Sequence, residues 1–143
     1  MPESNLHRRL VQSLVASVEG RHQDWFLFVD GDYSRSNGCP PQLETVRPDL
    51  FARARETRHV VIGEAKTTFD LETTHTAVQL DTYFRYLALE RSGELILAVP
   101  YLCAGLAHRV CRRIRLAAGV GAVPFEISGW MYGSSTIQRA WRG

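Results

Sequence analysis

Apolar residues at Leu6, Leu10, Val11, Leu14, Val15 and Val18 repeat with the 3.6-residue rhythm of an amphipathic helix. Ser4 precedes this run as a natural N-cap and Gly20 ends it, while Arg8, Arg9, Gln12 and Ser13 fall on the polar face. A short apolar-aromatic strand is predicted over residues 25–29, stopped by Asp30-Gly31-Asp32, and residues 33–45 read as a loop rich in Ser, Asn, Gly and Pro. Two further strands follow, near 46–52 and 59–66, then a connection over 67–72. Thr73 or Thr74 can cap a helix near 75–91 that buries Leu80, Phe84, Leu87 and Ala88 and ends at Ser92-Gly93. The uninterrupted apolar run within 94–100 predicts a strand covered on both faces, and a helix crossover before it implies parallel placement. A helix over 102–118 and a strand over 123–127 complete the order αβββαβαβ, with no clear element in the aromatic and basic segment 129–143. The pattern is that of a single α/β domain spanning 1–143, a mixed sheet flanked by helices.

Composition narrows the class without deciding it. With 45% apolar and 22% charged residues the chain has the make-up of an ordinary globular protein, and no N-terminal apolar region or long apolar run predicts a signal peptide or membrane span. The formal net charge of +2 is too small to mark a nucleic-acid binder by itself. Arginine heavily outnumbers lysine, however, and guanidinium groups suit phosphate recognition. The 3 cysteines, Cys39, Cys103 and Cys111, show neither CxxC nor metal-ligand spacing, which predicts reduced thiols and a cytoplasmic location.

The chemistry concentrates in Pro48-Asp49-Leu50-Phe51-Ala52 and Val60-Val61-Ile62-Gly63-Glu64-Ala65-Lys66. Positions i and i+2 of a strand share a face, so Glu64 and Lys66 project together while Ala65 points away. Hairpin pairing of the two runs would bring Asp49 beside Glu64. Two close carboxylates repel, burial raises the cost of ionising both, and a divalent cation is the simplest compensation. Oxygen donors without Cys or His in the pattern favour Mg2+ or Mn2+ over zinc, with Lys66 as a point charge beside a phosphate or an attacking water. The chemistry this suggests is metal-assisted hydrolysis of a phosphodiester.

Asp49, the 14 residues that follow and then Glu64-Ala65-Lys66 resemble the signature of the PD-(D/E)XK nuclease superfamily, including the proline before the first aspartate. Gln79-Leu80-Asp81-Thr82-Tyr83 resembles the Q-x-x-x-Y helix motif of its RecB-like branch, which stands beside the Holliday junction resolvase-like members. The resemblance spans roughly residues 4–128 and implies a restriction-endonuclease-like three-layer core. It also implies Mg2+ or Mn2+ held by Asp49, Glu64 and the Ala65 carbonyl, with catalytic roles for Asp49, Glu64, Lys66 and Gln79. Gln79 would reach toward water or phosphate, and Tyr83 would stand at the substrate-binding rim. The first helix should add a polar ligand, for which Glu3, His7 and Glu19 are candidates and His7 is chosen.

Arg35 and Ser36, in the loop before Asp49, are candidate contacts to a DNA backbone. The arginines of the last helix read as a solvated face. The expected partner is DNA, with no membrane, and one site per chain makes a homodimer plausible for cutting a duplex. The alternative is a non-catalytic nucleic-acid-binding or partner-interaction module on the same scaffold.

Overall fold

The computed structural model of the protein describes residues 4–21, 23–31, 33, 36–131 and 139–143. Glu3 and Arg35, two of the candidate site residues, lie outside the described residues. Six strands form one mixed sheet whose spatial order follows the chain: β1 (Trp25–Val29), β2 (Leu50–Ala54), β3 (Val60–Ala65), β4 (Gly93–Pro100), β5 (Phe125–Trp130) and β6 (Arg139–Arg142). β1, β2 and β3 are antiparallel neighbours, β3, β4 and β5 run parallel, and β6 returns antiparallel to β5.

Among the described residues three helices cover the sheet. α1 (Asn5–Glu19) is capped by Ser4, whose hydroxyl accepts the His7 N–H, and ends at Gly20. α2 (Thr74–Leu89) is capped in the same way by Thr73 through the Thr76 N–H. α3 (Ala104–Ala118) follows a single 3-10 turn at Tyr101–Cys103 and ends at Gly119, whose φ of 73° is the left-handed conformation that glycine adopts without steric cost.

Strand alternation sorts the apolar side chains into two cores. On one face Leu10, Val11, Leu14 and Val18 of α1 pack on Leu50, Ala52, Val61, Ala65, Ile96 and Ala98. On the other, Leu80, Phe84 and Leu87 of α2 and Ala107, Val110 and Ile114 of α3 pack on Phe51, Val60, Ile62, Leu95 and Leu97. β3 and β4 are therefore buried on both sides, which their continuous apolar sequence requires. Each fully buried leucine or isoleucine contributes about 2 kcal/mol of apolar transfer. Gly63 lets α1 approach closely, because a Cβ there would stand 3.1 Å from the Leu50 Cβ and 3.3 Å from both Leu14 methyl carbons. No helix among the described residues is long and apolar enough to cross a membrane.

Three expectations are revised. β2 begins at Leu50 rather than 46, since Val46 instead pairs with Leu43 in an isolated bridge. The expected order ended at a fifth strand, yet Arg139–Arg142 adds β6. This four-residue edge strand has too little apolar alternation to announce itself. Its register is set by β5, where Gly129 leaves room for the Trp141 ring; a Cβ at 129 would lie 2.9 Å from it. Finally, residues 36–38 of the presumed open loop lie along β1, with the Asn37 N–H donating to the Leu27 carbonyl and the Val29 N–H to the Gly38 carbonyl. That segment covers a sheet edge that would otherwise present unpaired backbone groups.

Candidate functional site

Asp49 stands where the β2–β3 ladder stops. Leu50 pairs with Gly63, so one step further Asp49 faces Glu64 and the next step puts Pro48 opposite Ala65. Proline has no N–H with which to continue the ladder. The Asp49 carboxylate takes over at this break: its Oδ2 accepts the Ala65 N–H at 2.8 Å. The backbone of Asp49 is fixed from the other side by the Asp30 N–H, 2.9 Å from the Asp49 carbonyl oxygen. Proline thus offers no N–H to the Ala65 carbonyl, while the Ala65 N–H is taken by the side chain of the residue that follows the proline.

Glu64 is 3% exposed and points toward α2, on the face shared by Val60 and Ile62. Tyr83, one turn after Gln79 on α2, donates its hydroxyl to Glu64 Oε2 at 2.9 Å. Lys66 is 8% exposed; its Nζ donates to Gln79 Oε1 at 2.5 Å and lies 3.9 Å from Glu64 Oε1. From α1, His7 Nε2 comes within 3.4 Å of Asp49 Oδ1. Three layers therefore supply one polar chain, running from His7 through Asp49 and Glu64 to Lys66, Gln79 and Tyr83.

The two carboxylates differ electrostatically. Burial disfavours ionisation of Asp49, but hydrogen bonds from His7, the Ala65 N–H and Glu64 outweigh it and hold Asp49 below the usual aspartate range. Glu64 is driven well above the usual glutamate range by burial and by the Asp49 charge, which Lys66 and the Tyr83 hydroxyl only partly offset. The contact between them thus favours the proton on Glu64 and the negative charge on Asp49. Tyr83 is pushed up by burial and the adjacent Glu64 charge, so its hydroxyl keeps its proton and remains a donor.

Asp49 and Glu64 are the oxygen donors that could hold a cation, together with the main-chain carbonyl of Ala65. Among the described residues no three His, Cys, Asp or Glu side chains gather as a metal-holding group.

The other candidates are placed as follows. Tyr83, expected at the rim, is fully buried beneath Glu64. Gln79 contacts Lys66. Ser36 has its hydroxyl engaged within the loop, accepting from the Val29 and Gly38 N–H groups and donating to the Gly38 carbonyl. Glu19 sits exposed at the opposite end of α1 from His7. The bond from the Ala65 N–H to Asp49 was not foreseen from the sequence, because a contact at the end of a ladder depends on strand register. The chain matches no family model, no curated protein and no solved structure.

Proposed function

We propose that the protein is a Mg2+- or Mn2+-dependent nuclease of the PD-(D/E)XK type, with a restriction-endonuclease-like core, hydrolysing phosphodiester bonds of DNA. The observation that carries this reading is the meeting of Asp49, Glu64 and Lys66 at the open end of the β2–β3 hairpin, all nearly buried, with Glu64 touching both of the others. The donor set fits the cation. Mg2+ is typically bound by one or two carboxylates plus water and substrate phosphate, and a buried pair of which one member resists ionisation is relieved by a divalent charge. When bound, the cation supplies charge neutralisation at the phosphate and eases ionisation of water.

The side chains divide the remaining work. Asp49, kept ionised by its hydrogen bonds, supplies the permanent negative charge that attracts the cation. Glu64 is available to give up its proton once positive charge enters. Lys66, oriented by Gln79, presents an ammonium where negative charge develops on the phosphate during attack. Tyr83 holds Glu64 in position from below. Cutting both strands of a duplex with one site per chain calls for two copies, hence a homodimer, and the 3 free cysteines accord with a cytoplasmic setting.

A second reading, a nucleic-acid-binding or partner module that does not cut, draws support from the closure of the site: Lys66 and Gln79 satisfy one another and neither is more than 8% exposed. Incubation with single-stranded, duplex and branched DNA in Mg2+ or Mn2+ separates the two. The nuclease reading expects cleavage that Lys66→Ala and Glu64→Ala abolish. Cleavage unchanged in both variants, or none under any of these conditions, defeats it.

A further inference from the structure

Four arginines, Arg109, Arg112, Arg113 and Arg115, together with Leu116 and Gly121, line a cleft of about 400 Å³ beside α3. Arg109, Arg112, Arg113 and Leu116 recur at i, i+3, i+4 and i+7, so they form one helical stripe, and the three arginines are exposed. Like charges at these spacings repel. The repulsion has no local remedy: no Asp or Glu occurs between Glu94 and Glu126. Five arginines elsewhere are matched to carboxylates: Arg53 with Glu90, Arg55 with Asp24, Arg85 with Asp81, and Arg21 and Arg142 with Glu126. Arg109, Arg112 and Arg113 form no such pair among the described residues. Arg115 differs, donating to the Val123 carbonyl at 2.9 Å and stacking on Phe125, which fixes one wall of the cleft.

We infer that this arginine cleft is a docking surface for the phosphodiester backbone of a nucleic acid, distinct from the Asp49–Glu64–Lys66 site. Charge complementarity selects a polyanion, and planar guanidinium forks match phosphate oxygens better than ammonium groups do. A membrane surface is a poorer fit. An interfacial helix inserts an apolar face, but Ala107, Val110, Cys111 and Ile114 of α3 are already buried in the core. Only Leu116 remains as an exposed apolar side chain on the stripe. The inference goes beyond the nuclease reading, because it requires neither a cation nor cleavage.

The test is fluorescence anisotropy with a labelled DNA oligonucleotide and the full chain, in a chelator, over a salt series. Each phosphate contact contributes about 0.7–0.9 to the slope of log affinity against log salt. The triple variant R109Q/R112Q/R113Q is expected to lose about two units of slope and at least about tenfold in affinity at 0.1 M salt. The charge-matched control R55Q/R58Q/R85Q should bind as the wild type does, and R109K/R112K/R113K should recover part of the loss. Unchanged melting temperature of the first variant certifies its fold, and the lysine variant gives the same comparison if it melts early. Equal binding by wild type and R109Q/R112Q/R113Q overturns the inference, as does an equal loss in the control. Absence of DNA binding by the wild type overturns it too, as does binding of phosphatidylserine vesicles in place of DNA in a parallel co-sedimentation assay. Glu64→Gln should retain this binding in the chelator, so failure of the catalytic reading leaves the result interpretable.

Discussion

Asp49 and Glu64 face each other one step beyond the last pair of the β2–β3 ladder, and their environments drive their protonation in opposite directions. Asp49 is stabilised as a carboxylate by His7 and the Ala65 N–H, whereas Glu64, more deeply buried and lying over Tyr83, resists ionisation. Such a divergence is a common sign of a working pair of acids, and it makes the metal-free protein's stability depend on pH in a calculable direction.

Glu64 has a folded pKa above its ordinary value of 4.5, so its contribution to stability is full below that pH and is lost as pH rises through the raised value. Asp49 has the opposite sign: its contribution is present above 3.8 and lost as pH falls through the lowered value. Glu64→Gln removes the first liability. At pH 8 without divalent cations it should raise stability by about 1 kcal/mol, or roughly 3–5 °C in melting temperature. The gain should shrink toward pH 4. Thermal denaturation across pH 4–9 measures this, and a gain that grows on acidification would contradict the assignment.

Divalent cations should reverse that ranking. A ligand that binds only the folded state raises stability in proportion to RT ln(1 + [L]/Kd), about 2.7 kcal/mol at one hundred times Kd. Saturating Mn2+ is expected to stabilise the wild type clearly, and to leave Asp49→Asn and Glu64→Gln almost unmoved. Chelation should restore the metal-free melting curve. Identical Mn2+ shifts in all three proteins would place the ion elsewhere.

Tyr83→Phe keeps the buried ring and removes only the hydroxyl that Glu64 accepts. Since that bond lowers the Glu64 pKa, its loss should push Glu64 still higher. Cleavage should then require a more alkaline pH, with a stability cost of about 1–2 kcal/mol. The pH profile of single-turnover cleavage decides the matter, since a purely structural tyrosine would lower the rate without displacing the profile.

Gly63→Ala tests how tightly the α1 layer is set against the site. The new Cβ would meet the Leu50 Cβ at 3.1 Å and the Leu14 methyl carbons at 3.3 Å. Crowding of this kind in a packed core costs about 1–3 kcal/mol. Any outward shift of α1 would draw His7 from Asp49. Urea denaturation should show the loss, and Leu14→Ala in the same chain should recover part of it; an undiminished midpoint in Gly63→Ala would show that the helix rides freely on the sheet.

The sequence by itself determined the α/β class, the three helices to within about two residues at most ends, and the sharing of one strand face by Glu64 and Lys66. These follow from local rules: the 3.6-residue period for Leu10, Leu14 and Val18, the two-residue period for β3, and hydroxyl caps at Ser4 and Thr73. Placing Gln79 and Tyr83 on one helical face also needed only their spacing. Tertiary structure alone decided the rest. β6 exists because β5 offers an edge and Gly129 a seat for Trp141. Tyr83 is a buried support rather than a rim residue because α2 packs on β4, which carries the Tyr83 hydroxyl onto Glu64 of the neighbouring strand. The Asp49 carboxylate finds the Ala65 N–H because the ladder ends at Leu50 and Gly63, which sets Asp49 beside the end of β3. Register and inter-layer distance are sums over many weak contacts between residues far apart in the chain, and no local pattern carries that information.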